Sequence, residues 1–228
     1  AQGDPMALAR LRREVDTARE LAHPNVVRTF DAGEADGIHY LTMEYVEGRS
    51  LRTLVQDGGP LSVRAAVEAA RQICRALAHA HAHGVLHRDV TSHNAILTPA
   101  GVLKITDFGA ARFADVPRGV TETGTLIGTP AYMAPEVLRG QPHDVRADVY
   151  AVGVVLYECL TGHPPFAGAG GSMLVLTQVL ETDPEDPCAL RRDVPRALCD
   201  LVLAAIAKDP AARPASAEAF ERRLAELA

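Results

Sequence analysis

Three oxygen-bearing side chains in the middle of the chain could act together on a phosphate group. The run His87-Arg88-Asp89 is followed by Asn94, and the run Asp107-Phe108-Gly109 comes next. One carboxylate can take the proton of an attacking hydroxyl, while a second carboxylate and an amide oxygen are hard ligands that suit Mg²⁺. Transfer of a phosphoryl group needs both, because its oxygens gather negative charge and its acceptor must be aligned and deprotonated. The order of these residues therefore predicts phosphoryl transfer.

A third motif lies further along the chain, Gly128-Thr129-Pro130-Ala131-Tyr132-Met133-Ala134-Pro135-Glu136. An isolated Asp-Phe-Gly is usually only a turn, but three motifs in this order and spacing form a specific signal. Together they resemble the protein kinase family, in its bacterial, eukaryotic-like serine/threonine branch, from about residue 10 to the end of the chain. The resemblance implies an ATP-dependent protein serine/threonine kinase.

The resemblance also implies a role for each residue that matches the motifs of the family. Asp89 would be the catalytic base, and Asn94 and Asp107 would be the Mg²⁺ ligands. The implied cofactors are therefore ATP and Mg²⁺. The residues implied for ATP are the gatekeeper Met43, the hinge residues Glu44, Tyr45 and Val46, and Ile96 beneath the adenine ring.

Control by phosphorylation is implied by Arg88, which stands beside the catalytic base. Its guanidinium could hold a phosphothreonine of the following segment through bidentate hydrogen bonds, although a merely polar loop is the competing interpretation. Glu14 matches the glutamate that pairs with a strand-3 lysine in active kinases, but for that residue alone a solvated helix charge is the simpler interpretation. The candidate phosphorylation sites are Thr121, Thr123 and Thr125.

Substrate selection and scaffolding are implied by four further positions. Thr129 matches a threonine that shapes the pocket for the substrate hydroxyl, which favours serine and threonine over tyrosine. Asp148 would brace the catalytic loop through backbone hydrogen bonds, and Glu136 would pair with Arg213 in a structural ion pair. The implied partners are proteins with Ser or Thr acceptors, with self-association or autophosphorylation in trans as a further expectation.

The sequence departs from the pattern of the family in two places. Only residues 1–13 precede Glu14, and they contain neither Gly-x-Gly-x-x-Gly nor a lysine. We therefore expect a fragment of a longer chain, or a product that lost its front, with weak or no activity of its own. The second departure is Thr91, which stands where a lysine commonly contacts the transferred phosphate. A hydroxyl cannot supply that charge, so a lower rate is expected.

The elements that must position these residues follow from hydrophobic periodicity and turn signals. They predict an α+β protein. The resemblance implies a protein-kinase-like fold with a mostly helical large lobe over residues 45–228. It also implies that residues 1–44 are an incomplete small lobe of one helix and one β-hairpin, whose second strand has an unpaired edge. The predicted elements are a helix over 7–22, strands over 26–32, 38–46, 85–86, 95–97 and 102–105, a helix from Ser62 to about His83, a mobile loop over 114–128, a buried helix over 149–160 and a last helix opening at Ser216 that buries Phe220, Leu224 and Leu227.

Composition excludes several other classes of function. The net charge of −6 gives no basic footprint, which argues against a nucleic-acid partner. The longest apolar run, 152–160, is too short to cross a bilayer, so a cytoplasmic protein is expected, with a membrane anchor on a longer parent chain left open. The cysteines have no close pairs, which argues for a reducing compartment and against disulfides; they are Cys74, Cys159, Cys188 and Cys199.

Two further patterns favour structural interpretations over binding sites. The histidines at 79, 81, 83 and 87 are not expected to form a metal cluster, because alternate residues of a helix do not share a face. Residues 168–171 are glycine-rich but follow no strand, so they predict a surface loop and not a nucleotide-binding turn.

Two other functions remain as alternatives to a protein kinase. A non-catalytic, kinase-like interaction module is the first, and it is favoured by the short front of the chain and by Thr91. A small-molecule kinase is the second. The segment 128–136 disfavours it, because that segment resembles a protein-docking loop.

Overall fold

The computed structural model describes residues 19, 21–35, 38–108, 119–120, 126–127, 129–166 and 171–227. Most of the helix predicted over residues 7–22 falls outside these ranges, and so does Glu14. The three candidate phosphorylation sites and the glycines at 109 and 128 also lie outside them. Most of the loop predicted over 114–128 is outside as well, but two short strands within it, β6 (Gly119–Val120) and β7 (Leu126–Ile127), pair with each other.

The first structural unit is an antiparallel hairpin formed by β1 (Thr29–Ala35) and β2 (Ile38–Met43). Ala35 lies opposite Ile38 at the turn, and the register is irregular between Thr29 and Asp31. The hairpin confirms the two predicted strands, although the first strand begins three residues later than its apolar pattern indicated.

The hairpin is attached to the rest of the protein by a buried polar network around residues 23–27. The side-chain amide of Asn25 donates hydrogen bonds to Gln72 Oε1 (2.9 Å) and to the Leu103 carbonyl (2.7 Å). The backbone of this segment also bonds to the strand that contains Ile105, since Val27 N donates to Ile105 O (2.8 Å) and Ile105 N donates to Asn25 O (2.9 Å). Residues 23–27 are therefore fixed by hydrogen bonds to the body of the protein that lies below the hairpin.

Two capped helices follow, α1 (Leu51–Gly58) and α2 (Val63–Ala82). Ser62 is the N-cap of α2, because its hydroxyl accepts a hydrogen bond from Ala65 N at 3.2 Å. The chain leaves α2 through Gly84, whose φ of +72° is readily adopted only by glycine. Both ends of this helix confirm the prediction.

A small sheet lies under the site, with the order β3 (Arg49–Ser50), β4 (Ala95–Leu97) and β5 (Leu103–Ile105). Its three strands pair antiparallel, with Ile96 opposite both Ser50 and Lys104. The strand predicted at residues 85–86 is wrong. Val85 N donates to Ala80 O (3.0 Å) at the end of α2, so its backbone continues the helix terminus and does not enter a ladder.

The body of the protein is helical and is built around α4 (Val145–Thr161). All residues of α4 from Asp148 to Leu160 are buried, which confirms the prediction that this helix lies in the middle of the domain. No helix in the described ranges has the length and apolar content needed to cross a bilayer. The remaining helices are α3 (Pro135–Leu138), α5 (Ser172–Glu181), α6 (Pro187–Leu190), α7 (Arg196–Ala205) and α8 (Ala217–Ala225), which begins after its N-cap Ser216.

The expectation that the cysteines would be unpaired is wrong for two of them. Cys188 and Cys199 form a disulfide, because the packing of α6 against α7 brings their Cα atoms to 6.0 Å. Their separation of 11 residues gave no sign of this contact. The other two, Cys74 and Cys159, are buried thiols, and burial raises the pKa of each.

Candidate active site

A buried carboxylate at the start of α4 holds the predicted catalytic loop in place. Asp148 Oδ2 accepts hydrogen bonds from His87 N (2.9 Å) and His81 Nε2 (2.8 Å), and its Oδ1 accepts one from Arg88 N (2.9 Å). Burial alone would raise the pKa of Asp148, but the hydrogen bond from His81 and the neighbouring histidines bring it below its usual value. The carboxylate is therefore ionised and fixes the start of the loop through backbone donors.

His87 connects this loop to the strand segment that carries Asp107. Its Nε2 lies 3.0 Å from Thr106 O, so it must donate there, and its Nδ1 accepts from Asp89 N at 3.2 Å. Its ring also contacts Phe108, with the ring centroids 4.4 Å apart. Burial lowers the pKa of His87, which keeps the ring neutral and lets one nitrogen donate while the other accepts. The residues before and after Asp107 are thus both held by one imidazole.

Two residues of the site adopt left-handed backbone torsions that are uncommon for residues other than glycine. Arg88 has φ of +66° and Asp107 has φ of +65°. Such conformations persist only where the surroundings enforce them, and they concentrate at functional sites. The bond from Arg88 N to Asp148 and the contacts of Thr106 and Phe108 with His87 supply that enforcement.

Asp89 and Asn94 are brought together by a side-chain contact. Asn94 Nδ2 donates to the Asp89 carbonyl (2.9 Å) and to Asp89 Oδ2 (3.2 Å). Thr106 N donates to the Asn94 carbonyl (2.9 Å), which ties Asn94 to the residue before Asp107. The structure therefore gathers all three oxygen-bearing residues predicted from the sequence around one short stretch of backbone.

The donor set at this point fits a hard divalent cation. Because Asn94 Nδ2 is turned towards Asp89, the Oδ1 atom of Asn94 is left as its acceptor, and it makes no hydrogen bond within the described part of the chain. The half-buried Asp107 carboxylate likewise has no hydrogen bond or ion pair to another described residue. An amide oxygen and a carboxylate that are unsatisfied by protein donors are the ligands expected for Mg²⁺.

Thr91 points into the loop. It is 4% exposed, and its hydroxyl accepts a hydrogen bond from Asn94 N at 3.3 Å. The hydroxyl thus closes a turn within the catalytic loop.

The segment after the predicted hinge passes close to β4, which carries Ile96. A Cβ atom on Gly48 would come within 2.9 Å of Ile96 Cγ2 and 2.5 Å of Leu97 O, so only glycine allows this close approach. Glu44 N already donates to Arg28 O (2.8 Å), whereas the backbone of Val46 makes no hydrogen bond to any other described residue. The role of Val46 and Ile96 in binding adenine stays a prediction.

The predicted gatekeeper, Met43, and the remaining predicted hinge residue, Tyr45, make different contacts. Met43 lies at the end of β2, with its sulfur 3.6 Å from Thr106 Oγ1, and Tyr45 is 91% exposed. Met43 thus connects the hairpin with the residue that precedes Asp107, while the Tyr45 ring faces solvent.

The segment after Gly128 is joined to the helical body by a buried ion pair. Arg213 donates to both oxygens of Glu136, at 2.7 and 2.8 Å, and its side chain is fully buried. Thr129, the first residue of this segment, is exposed and precedes a 3₁₀ turn over Pro130–Tyr132. The structure therefore brings Glu136 and Arg213 together and leaves Thr129 at the surface.

Sequence reasoning missed a second buried network next to the site. Glu158, in the last turn of α4, is fully buried and accepts hydrogen bonds from Arg52 Nη1 (2.6 Å) and Tyr132 Oη (2.6 Å). The Tyr132 hydroxyl also lies 2.9 Å from Ser92 Oγ, in the catalytic loop. The available signal was one acidic residue within the predicted buried run 149–160, since a buried charge needs a partner.

Comparisons with known proteins agree with this geometry. A family model for the protein kinase domain matches residues 2–224. The chain is 42% identical over 212 residues to the serine/threonine-protein kinase PknB of Mycolicibacterium smegmatis, which covers 91% of this chain and 34% of that protein. It is 39% identical over 216 residues to the serine/threonine-protein kinase PrkC of Bacillus subtilis, covering 94% and 33%, respectively. The chain thus spans about a third of the length of the curated relatives it matches.

A solved structure gives the same result for the fold. The crystal structure of Rad53 1-466 in complex with AMP-PNP has a TM-score of 0.78 and 29% identity to this chain, covering 92% of this chain and 53% of that one. The fold and the family match therefore define the class of protein, a protein kinase domain. The chain belongs to the protein kinase family, and its relatives PknB and PrkC are bacterial serine/threonine kinases.

Proposed function

We propose that this chain carries the catalytic loop and substrate-docking region of an ATP-dependent protein serine/threonine kinase. The observation that carries the proposal is the contact between Asn94 Nδ2 and Asp89 Oδ2 beside an Asp107 carboxylate that lacks protein partners in the described part of the chain. This arrangement separates the two tasks of the reaction. One carboxylate is positioned as a base, and an amide oxygen with the other carboxylate is left for a cation.

In the proposed reaction, the hydroxyl oxygen of a serine or threonine attacks the γ-phosphorus of ATP, and its proton passes to Asp89. The bond from the γ-phosphorus to the bridging oxygen breaks, and ADP leaves with that electron pair. Mg²⁺, when bound to Asn94 and Asp107, supplies positive charge to the phosphate oxygens. Asn94 also orients Asp89 through its amide, and Asp148 holds the loop that carries both residues.

The remaining site residues support recognition and control in this proposal. The backbone of Val46 and the side chains of Met43 and Ile96 would contact adenine at the hinge. The exposed Thr129 would line the pocket for the acceptor hydroxyl. Arg88 would receive a phosphorylated residue of the segment 121–125, and autophosphorylation in trans by a second copy is the proposed source of that phosphate.

Two features lead us to propose that the 228-residue chain alone transfers phosphate slowly. Neither of its lysines, Lys104 and Lys208, precedes the site of Glu14, so no lysine in this sequence can pair with Glu14 from the strand before it. Thr91 supplies no charge to the transferred phosphate, because its hydroxyl is neutral, and that hydroxyl already accepts a hydrogen bond from Asn94 N. Both features reduce stabilisation of the transition state, and neither removes the base or the metal ligands.

The test is transfer of labelled phosphate from Mg·ATP to a serine-containing protein. It compares the 228-residue chain with a chain that also carries the segment encoded upstream of Ala1. We expect little transfer from the first and clear transfer from the second. In the longer chain, Asp89→Asn lowers turnover by roughly 10²–10⁴, as for loss of a general base. Asp57→Asn, which changes a carboxylate outside the site, serves as the matched control.

The alternative function is a non-catalytic module that binds partners through the same fold. It is favoured by the position of Thr91, whose buried hydroxyl completes the loop without reaching a phosphate. Equal, background-level transfer by the longer chain and its Asp89→Asn variant would establish this alternative and reject the kinase proposal.

A further inference from the structure

Three imidazole rings stack at the C-terminal end of α2, away from the candidate active site. The rings of His23 and His79 have centroids 5.2 Å apart, and those of His79 and His83 are 4.6 Å apart. His79 and His83 are one helical turn apart, so they share a face of α2. Unlike alternate residues of a helix, these two side chains can therefore reach a common ligand.

The hydrogen bonds of His83 determine which of its nitrogens is available. His83 Nδ1 lies 2.8 Å from the carbonyl oxygen of His79, and a carbonyl can only accept, so Nδ1 carries the hydrogen. In the neutral ring, Nε2 then bears the free lone pair. A backbone carbonyl that orients one imidazole nitrogen so that the other can bind is the usual arrangement around metal-bound histidine.

His79 provides the second nitrogen. Its Nε2 atom is buried and has no hydrogen-bond partner in the described part of the chain. A buried polar atom without a protein partner is rare in folded proteins, and binding of an ion is one explanation for it. The adjacent ring of His83 is exposed, so an ion could reach this position from solvent.

The surroundings tolerate a cation at this position. The C-terminal end of a helix carries partial negative charge, and His83 is the C-cap of α2. Arg75 is nearby, but its charge is paired with Glu221 (3.1 Å) and Glu68 (3.5 Å).

His23 covers the pair and does not join it as a ligand. Its Nδ1 accepts a hydrogen bond from Asn25 N at 3.1 Å, so the hydrogen of the neutral ring lies on Nε2. Its ring stacks on His79 and closes one side of the pair.

We propose that Nε2 of His79 and Nε2 of His83 bind a transition-metal ion of the zinc class, with water completing its coordination. Imidazole nitrogens suit Zn²⁺ and Ni²⁺, and they do not suit Mg²⁺. The ion would link two residues one turn apart at the end of α2 and would fix the His79 ring on which His23 stacks. This site is independent of the proposed kinase activity.

The test is calorimetric titration of the whole 228-residue chain with Zn²⁺, in excess Mg²⁺ to fill oxygen-ligand sites and without reductant so that Cys188 and Cys199 stay paired. We expect one equivalent to bind. His79→Gln and His83→Gln each weaken binding at least about tenfold, since each removes one of two ligands. His143→Gln, which changes an exposed histidine elsewhere, leaves the affinity unchanged.

A second measurement keeps the proposal testable if a variant folds poorly. In the unaltered protein, Zn²⁺ shifts the Nε2 resonances of two histidines in long-range ¹H–¹⁵N spectra, and the same spectra assign them to His79 and His83. Absence of binding to the unaltered chain, or equal affinity in the two variants and the control, would overturn the proposal.

Discussion

The catalytic loop and the β1–β2 hairpin contribute to the same site, but they are held in different ways. The loop is tied to the core by buried charged groups, which include Asp148 and Glu158, both less than 5% exposed. The hairpin presents large apolar side chains to solvent, with Phe30 49% and Tyr40 46% exposed. The side-chain links described between the base of the hairpin and the body are the bond of Glu44 with Lys104 and the contact of Met43 with Thr106.

This difference separates two properties of the molecule. The groups proposed to act on phosphate are fixed by the fold of the large lobe, whereas the groups proposed to contact adenine depend on a lightly packed element. A substitution that destabilises the large lobe is therefore expected to disturb the geometry of the catalytic loop as well. The hairpin is expected to open with little cost to the rest of the protein.

The largest expected effect concerns the buried pair of Arg213 and Glu136. Arg213→Ala leaves the Glu136 carboxylate buried without its partner, so we expect the free energy of unfolding to fall by about 3–5 kcal/mol. Urea denaturation measures this change. Arg196→Ala is the matched control, because Arg196 pairs with Asp186 and Asp200 at the surface and should contribute less than about 1 kcal/mol. Equal losses in both variants would show that the core pair does not anchor the body.

The second-largest effect is expected on the free energy of unfolding when the pH is lowered. The pKa of His87 is lowered by burial, so below about pH 6.5 the unfolded chain binds a proton that the folded protein excludes. The free energy of unfolding therefore decreases as the pH falls from 7.5 to 5.5, by at most about 1.4 kcal/mol per pH unit for this one proton. His87→Phe keeps the ring contact with Phe108 and flattens the slope. A slope unchanged by the substitution would assign the effect to other groups, such as His23, whose pKa is also lowered.

The smallest expected effect belongs to the hairpin. Glu44→Gln weakens a partly exposed ion pair with Lys104 (2.9 Å), which is expected to cost less than about 1 kcal/mol of global stability. Hydrogen exchange should nevertheless become faster at residues 29–43 and stay unchanged in α4. Glu47→Gln, at an exposed neighbouring residue, is the control and should alter neither. A global loss comparable to that of Arg213→Ala would remove the distinction between the two regions.

Local patterns in the sequence were enough to predict much of the fold. Ser62 and Ser216 were predicted as the positions where helices begin, and both are N-caps, because the hydrogen bonds that define a cap lie within one turn. The buried helix α4 was recognised because its apolar residues surround the axis. The Cys188–Cys199 disulfide was missed because it depends on how two helices pack. The strand predicted at Val85 was wrong because the N–H of Val85 donates a hydrogen bond to the end of a helix.

The sequence was enough to propose candidate residues of the site, but it did not predict the contacts between them. The three motifs identified Asp89, Asn94 and Asp107, since motif order is visible along the chain. They could not show that Thr91 closes a turn with Asn94, because that depends on the path of the loop. The network from Arg52 through Glu158 to Tyr132 joins residues far apart in the chain, and one unmatched acidic residue in α4 was its only trace.

The three hydrogen bonds accepted by Asp148 determine when the loop becomes ordered relative to the proposed binding of a substrate. Since the carboxylate is satisfied by His81 and by the backbone of His87 and Arg88, the loop reaches its working shape when the polypeptide folds. The loop then does not have to be ordered when a protein acceptor binds in the proposed reaction. The free energy of binding can instead align the acceptor oxygen with the phosphorus. In the proposed reaction, one side chain near the start of a core helix would thus lower the entropic cost of arranging the catalytic loop.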